Sequence, residues 1–184
     1  MRRAKVPISW ALAGPYGHPY HPALTSIPIG AWIASLVFDI ASHFVSSPAF
    51  LTAGSEWLIA IGVAGAILAG LAGFMDLSSL AEGTRVYRTA SAHMILNLLL
   101  MVAYAGNFWW RYRTYRSGAP VGTGMLSLSV GCVLLLIISG LLGGKLAYRY
   151  GVRVADEATQ MDGYLDREQL RAGRGRPMRE QPPY

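Results

Sequence analysis

His21, Asp39 and His43 lie within one long apolar stretch of the chain, and a second such stretch carries His93, Asn97 and Arg111. These side chains can do chemistry. Neutral imidazole is the commonest protein ligand for metals, a carboxylate next to an imidazole can handle protons, and a carboxylate next to a guanidinium forms a strong ion pair. Their spacing is helical. Steps of three or four residues from His21 pass through Thr25, Pro28, Trp32, Ser35, Asp39 and His43, and similar steps from His93 pass through Asn97, Tyr104 and Asn107 to Arg111. Each series therefore occupies one face of its helix. A polar stripe on an otherwise apolar helix should face other helices, water or a cofactor.

Three arrangements follow from these residues. His21 and His93 each stand near the start of their stretch, at one level, and are candidate axial ligands of haem b or ligands of a metal ion, with glycines on the other helices leaving room for a macrocycle. The same two histidines could instead cap a helix and bond to a loop. Asp76, His93 and Lys145 form a second set, a polar knot that would join helix ends, since charges persist inside a membrane protein when they are paired. Asp39 with His43 one turn on reads as a proton-handling pair or as an interfacial hydrogen-bonded pair, with Tyr104, Asn107 and Arg111 as neighbours. No Ser, His and acid spacing, phosphate-binding glycine loop or HExxH motif is present, so no catalytic residue is assigned and an enzyme is the weaker reading.

The elements that must position these groups are long and apolar. Charge-free windows run over 6–38, 57–75, 89–110 and 117–144, and each can hold a helix of about 20 residues, enough to cross a bilayer. The patterns predict helices over about 21–45, 56–77, 89–110 and 123–150. Pro22 suits the first turn of a helix, and Pro28 should free the carbonyl of Leu24 to be satisfied by a neighbour or by the Thr25 or Ser26 hydroxyls. Small residues recur at Gly62, Ala66 and Gly70, at Gly65, Ala69 and Gly73, and from Gly140 to Gly144, so the second and fourth helices read as a close-packing pair. The first and third read as the polar pair.

The 184-residue chain is 53% hydrophobic and 14% charged, which excludes an ordinary soluble domain of this size. Residues 1–20 read as an interfacial lead-in with Trp10, Tyr16 and Tyr20, residues 21–154 as the transmembrane domain, and 155–184 as a cytoplasmic tail, a short surface helix followed by a Gly-, Pro- and Arg-rich disordered end. The basic lead-in is broken by Gly14 and Pro15 and does not read as a cleavable signal. Cys132 is the single cysteine, so neither a disulfide nor a thiolate cluster is available within the chain. The net charge of +6 comes from Lys and Arg in the lead-in, loops and tail, which points to membrane topology and away from nucleic acid. Of these residues, 13 fall on the side of the two termini and 3 on the other, which places both termini in the cytoplasm. His21, Asp76, His93 and Lys145 then lie near the cytoplasmic face, with Asp39, His43 and Arg111 about 25 Å away at 1.5 Å per residue.

HPYHPALTSIPIGAW followed by FD, then GFMDLSSLAEGTRVYRTASAHMILN, then SGLLGGKLAYRYGVRV, resemble in order the bacterial membrane proteins of the domain-of-unknown-function family DUF2231. The resemblance covers roughly 14–154. It implies a compact four-helix membrane module without an established activity, and relatives with a Rieske-type iron–sulfur domain after the last helix imply a redox neighbourhood. The tail of this chain has neither cysteine nor histidine and cannot hold such a cluster.

The expected protein is thus an all-α, integral membrane four-helix bundle with cytoplasmic N- and C-termini, in the plasma membrane of a bacterium. Its expected function is that of a non-catalytic module associated with membrane redox chemistry or complex assembly, with His21 and His93 as haem or metal ligands and Asp76, Lys145, Asn97, Asp39, His43 and Arg111 as structural polar sites. Its partners would be the lipid bilayer, other membrane redox proteins and further copies of itself, with no nucleic acid. The alternative is an oligomeric small-molecule or proton transporter using Asp39 and His43.

Overall fold

The computed structural model describes residues 17–114 and 118–162. Most of the lead-in, the middle of the arginine- and tyrosine-rich loop and most of the tail lie outside the described residues. Four long helices make up the main unit: α1, Tyr20–Ala41; α2, Ala49–Ser78; α3, Arg85–Thr114; and α4, Thr123–Gly144, which continues as a π-helical turn over Lys145–Arg149. All four are long and apolar enough to cross a membrane. A separate unit begins at Val154 and holds the short helix α5, Glu157–Asp162, whose first turn is capped by a 2.9 Å bond from the Thr159 amide to the Asp156 carboxylate.

Four helix boundaries differ from expectation: α3 runs four residues further at each end than 89–110, and the start of α2 and the end of α1 shift as well. The second helix starts at Ala49, seven residues before Glu56, because Pro48 suits the position before a helix and the following segment has no breaker strong enough to oppose it. The first helix ends at Ala41 and not near residue 45. There the Ser42 hydroxyl donates to the Asp39 carbonyl at 2.6 Å, and the amides of His43 and Phe44 bond three residues back, to Ile40 and Ala41. This tightening of the last turn takes His43 off the helical face that carries Asp39.

Pro28 is buried within an unbroken α1. The nearby hydroxyls bond one turn back, Thr25 to the Pro22 carbonyl at 2.8 Å and Ser26 to that of Ala23 at 2.7 Å, so neither serves the Leu24 carbonyl that Pro28 leaves without its amide partner.

Helices adjacent in sequence are adjacent in space, with α1 and α2 the most extensively packed pair, and α4 closing the ring back onto α1. The expected pairing of α2 with α4 is therefore corrected: the small residues of α2 receive side chains of α1, because short connections make antiparallel neighbours of consecutive helices. Gly62 shows why a small residue is needed. A Cβ there would overlap the indole of Trp32, and with no Cβ the Trp32 Nε1–H reaches the Ile59 carbonyl at 3.4 Å.

The core is a single buried cluster. Trp32, Ile59, Leu100, Tyr104, Cys132 and Leu136 fill it, with the Trp32 and Tyr104 rings stacked at 4.2 Å and 14°. Apolar residues elsewhere point outward: Val37, Leu71, Val102, Ile137 and Leu141 are all more than half exposed. In water such a surface would aggregate, whereas in a bilayer it is solvated by lipid. The chain folds as a multi-pass membrane protein.

Candidate functional site

Polar side chains occupy the bundle interior in two layers, above and below the Trp32–Tyr104 stack. One layer lies at the end where α1 connects to α2 and α3 to α4. Each helix contributes to it: Asp39 from α1, Ser55 from α2, Asn107 and Arg111 from α3, and Ser129 from α4. Arg111 meets both carboxylate oxygens of Asp39, Nη1 to Oδ1 at 2.8 Å and Nη2 to Oδ2 at 2.6 Å. Its Nε donates to the Asn107 amide oxygen at 2.9 Å, Nη1 to the Ser55 hydroxyl at 3.1 Å, and Nη2 to the Ser129 hydroxyl at 3.2 Å. A guanidinium has five N–H donors, and all five are engaged. Ser55 completes the carboxylate shell by donating to Asp39 Oδ1, and Asn107 donates to Ser129 at 3.0 Å.

This layer is closed. Asp39 is fully buried and Arg111 is 3% exposed, and a pair desolvated to this degree is held in place by its own hydrogen bonds. Asp39 is not paired with His43, whose side chain is exposed beyond the end of α1. The expectation of a shared Asp39–His43 site is corrected by the early end of the helix.

The second layer lies at the end carrying the start of α1 and the loop between α2 and α3. The imidazoles of His21 on α1 and His93 on α3 approach across the bundle, with ring centroids 6.4 Å apart and planes at 87°. Each is fixed from a different neighbour: His21 Nδ1 lies 2.8 Å from the Ala69 carbonyl on α2, and His93 Nδ1 2.9 Å from the Ser139 carbonyl on α4. A carbonyl only accepts, so both Nδ1 atoms carry the hydrogen and both Nε2 atoms keep a lone pair. Asn97 stands beside His93, its Nδ2 3.2 Å from Nε2. That amide has two hydrogens, and its nearer acceptors, the His93 carbonyl and the Ser139 hydroxyl at 2.8 Å each, take them. The His93 Nε2 has the Asn97 amide as its neighbour.

Glycines seat both rings. A Cβ on Gly73 of α2 would come within 2.8 Å of the His21 ring, and one on Gly143 of α4 within 3.1 Å of the His93 ring. These glycines thus make space for the imidazoles themselves. Among the described residues, no group of three or more His, Cys, Asp or Glu side chains converges to hold a metal ion.

Asp76 stands at the same end but does not join Lys145. Its partner is Arg153, whose Nε lies 3.2 Å from Oδ1 in an ion pair without the alignment of a directed hydrogen bond. Lys145 is exposed, its ammonium 5.8 Å from the centre of the Tyr150 ring. The physical reason lies after α4. The π-helical turn over Lys145–Arg149 widens the chain path, and Arg153, in the left-handed region at φ 58°, turns its side chain back to the end of α2. An anion in the last turn of α2 opposes the helix dipole and calls for a counter-charge, which Arg153 supplies.

Ser55, Ser129, Ser139 and Arg153 complete these layers without having been singled out as partners from the sequence. The signal for the last two serines was present: Ser129, Cys132, Leu136 and Ser139 recur at helical spacing and are buried. Nothing in the sequence marked Arg153 over the other basic residues after α4.

A family model described as a predicted membrane protein, DUF2231, matches residues 17–156. No curated protein and no solved structure matches the chain.

Proposed function

We propose that this chain, which belongs to the DUF2231 family of predicted membrane proteins, is a non-catalytic module of the plasma membrane that carries haem b between His21 and His93 and serves membrane redox chemistry or the assembly of a redox complex. The observation that supports this reading is the fixing of both imidazoles through Nδ1 to main-chain carbonyls, the usual outer-shell arrangement of ligating histidines; the Asn97 amide beside the His93 Nε2 would give way to the iron. The two rings face one another across the bundle with centroids 6.4 Å apart, so His21 and His93 would hold the group between α1 and α3. Two protein ligands are too few for a bare ion held by protein alone, whereas haem brings its own four nitrogens. The chemistry supplied by the bound haem is one-electron transfer.

The excess of Lys and Arg on the side of the termini supports a cytoplasmic location for both ends, and hence for the histidine pair. Transport through Asp39 and His43 has no such support, since Asp39 is locked to Arg111 and His43 lies apart from it.

Haem-replete expression and purification in mild detergent test the reading. A Soret band is expected in the native protein and is expected to be lost in both His21→Ala and His93→Ala. A colourless native protein, or a band that persists in both variants, overturns it.

A further inference from the structure

At the opposite end of the bundle from the histidines, beside the Asp39–Arg111 layer, a cavity of about 340 Å³ opens between α2, α3 and the start of α4. Its lining includes Thr52 and Glu56 of α2, Trp110, Arg111 and Thr114 of α3, and Met125 of α4. Arg111 forms part of this wall, yet it has nothing to offer an anion. All five of its donors are engaged with Asp39, Ser55, Asn107 and Ser129, and its charge is matched by that of Asp39.

What remains in the cavity accepts hydrogen bonds. The Thr114 hydroxyl donates to the Trp110 carbonyl at 2.8 Å, and that of Thr52 is held by the Pro48 and Ala119 carbonyls, each 3.1 Å away. A hydroxyl has one hydrogen, so both threonine oxygens are left as acceptors. Glu56 is half-buried and has no hydrogen bond or ion pair among the described residues. Among the described residues the cavity wall therefore carries a net negative charge, Glu56 and Asp39 against Arg111, together with neutral acceptors.

An aromatic wall adds to this. The Trp110 ring lies against the first turn of α4 at Gly124, where a Cβ would come within 2.8 Å of it. The face of an indole attracts a cation within about 6 Å of its centre. Carboxylate and hydroxyl lone pairs beside the Trp110 ring form a donor-seeking site.

We infer that this cavity binds a small primary ammonium group, with Glu56 as its counter-charge and Thr52 and Thr114 as neutral acceptors. The three N–H donors of an ammonium match that acceptor set, and a carboxylate or phosphate would find no donor in it. The cavity stands at the end of the spans, beside Trp109, Trp110 and Tyr112, where interfacial aromatics meet the lipid headgroups. The ammonium can come from the headgroup of phosphatidylethanolamine or from a free amine, and the chemistry is the same.

The test has two arms, each run on the full-length protein and on Glu56→Gln. In the first, protein in phosphatidylcholine nanodiscs is titrated with ethanolamine and followed by tryptophan fluorescence. In the second, protein from bilayers of equal phosphatidylethanolamine and phosphatidylcholine is analysed by native mass spectrometry for retained lipid. A saturable response to ethanolamine, weakened at least tenfold in Glu56→Gln, identifies a free-amine site. Preferred retention of phosphatidylethanolamine, lost in Glu56→Gln, identifies a headgroup site. Glu56 forms no hydrogen bond or ion pair among the described residues, so the variant should melt as the native protein does, and Thr52→Val, expected to weaken binding severalfold, provides a second variant. The proposal is overturned if neither arm shows binding, or if the binding in both is indifferent to these substitutions.

Discussion

Arg111 Nη2 lies 2.6 Å from Asp39 Oδ2, and the two residues, 72 positions apart in the chain, tie α3 to α1 inside an apolar bundle. Lipid cannot solvate either charge. The attraction between them is accompanied by three further donors from Arg111 and one from Ser55, so the pair leaves no donor of the guanidinium without a partner. Such a network fixes the relative depth and rotation of the helices, because sliding one helix by a turn would leave a charge unpaired.

Breaking that pair from one side should therefore be costly. Asp39→Ala or Arg111→Ala is expected to destabilise the protein by about 3–5 kcal/mol, the range for stranding one member of a buried ion pair. Asp39→Leu combined with Arg111→Met should cost less than either single alanine change, since no charge is left alone. Reversible unfolding in mixed micelles measures all three.

Close approach of α1 to α2 leads to a second expectation. Gly62→Ala places a methyl group on the Trp32 indole, and overpacking of this kind costs about 1–3 kcal/mol. Trp32 must then move from its stack on Tyr104 and from the Ile59 carbonyl. A lowered melting temperature should accompany a shift in tryptophan emission; an unshifted, equally stable variant would contradict the packing described here.

Arg153 combines an ion pair with a backbone conformation that disfavours side chains. Arg153→Gly loses the pair but relieves the left-handed strain, while Arg153→Ala loses the pair and keeps the strain. The glycine variant should accordingly be the more stable of the two by about 1 kcal/mol. Thermal melts of both variants in one detergent make the comparison.

Much of this architecture was legible in the chain itself. Apolar windows of spanning length gave four helices, and the three- and four-residue steps from His21 and His93 put the polar groups on the inward faces of α1 and α3. Periodicity carries this information because a helix repeats every 3.6 residues whatever surrounds it. The place of Asp39 near Arg111 and of His21 near His93 follows from helix direction and depth, which length alone approximates.

Partner choice was decided by tertiary structure. His43 falls away from Asp39 because a tight turn ends α1 at Ala41, and Asp76 pairs with Arg153 because a π-helical turn and a left-handed residue bring the chain back. These are departures from regular geometry, and a pattern based on regular geometry does not contain them. The same holds for Ala69 and Ser139, which grip the two histidines through main-chain carbonyls. A carbonyl is present in every residue and leaves no mark on the sequence. The sequence by itself determined which faces turn inward, because burial depends on side-chain type and period; the folded bundle decided which inward groups touch, because contact depends on the meeting of separate helices.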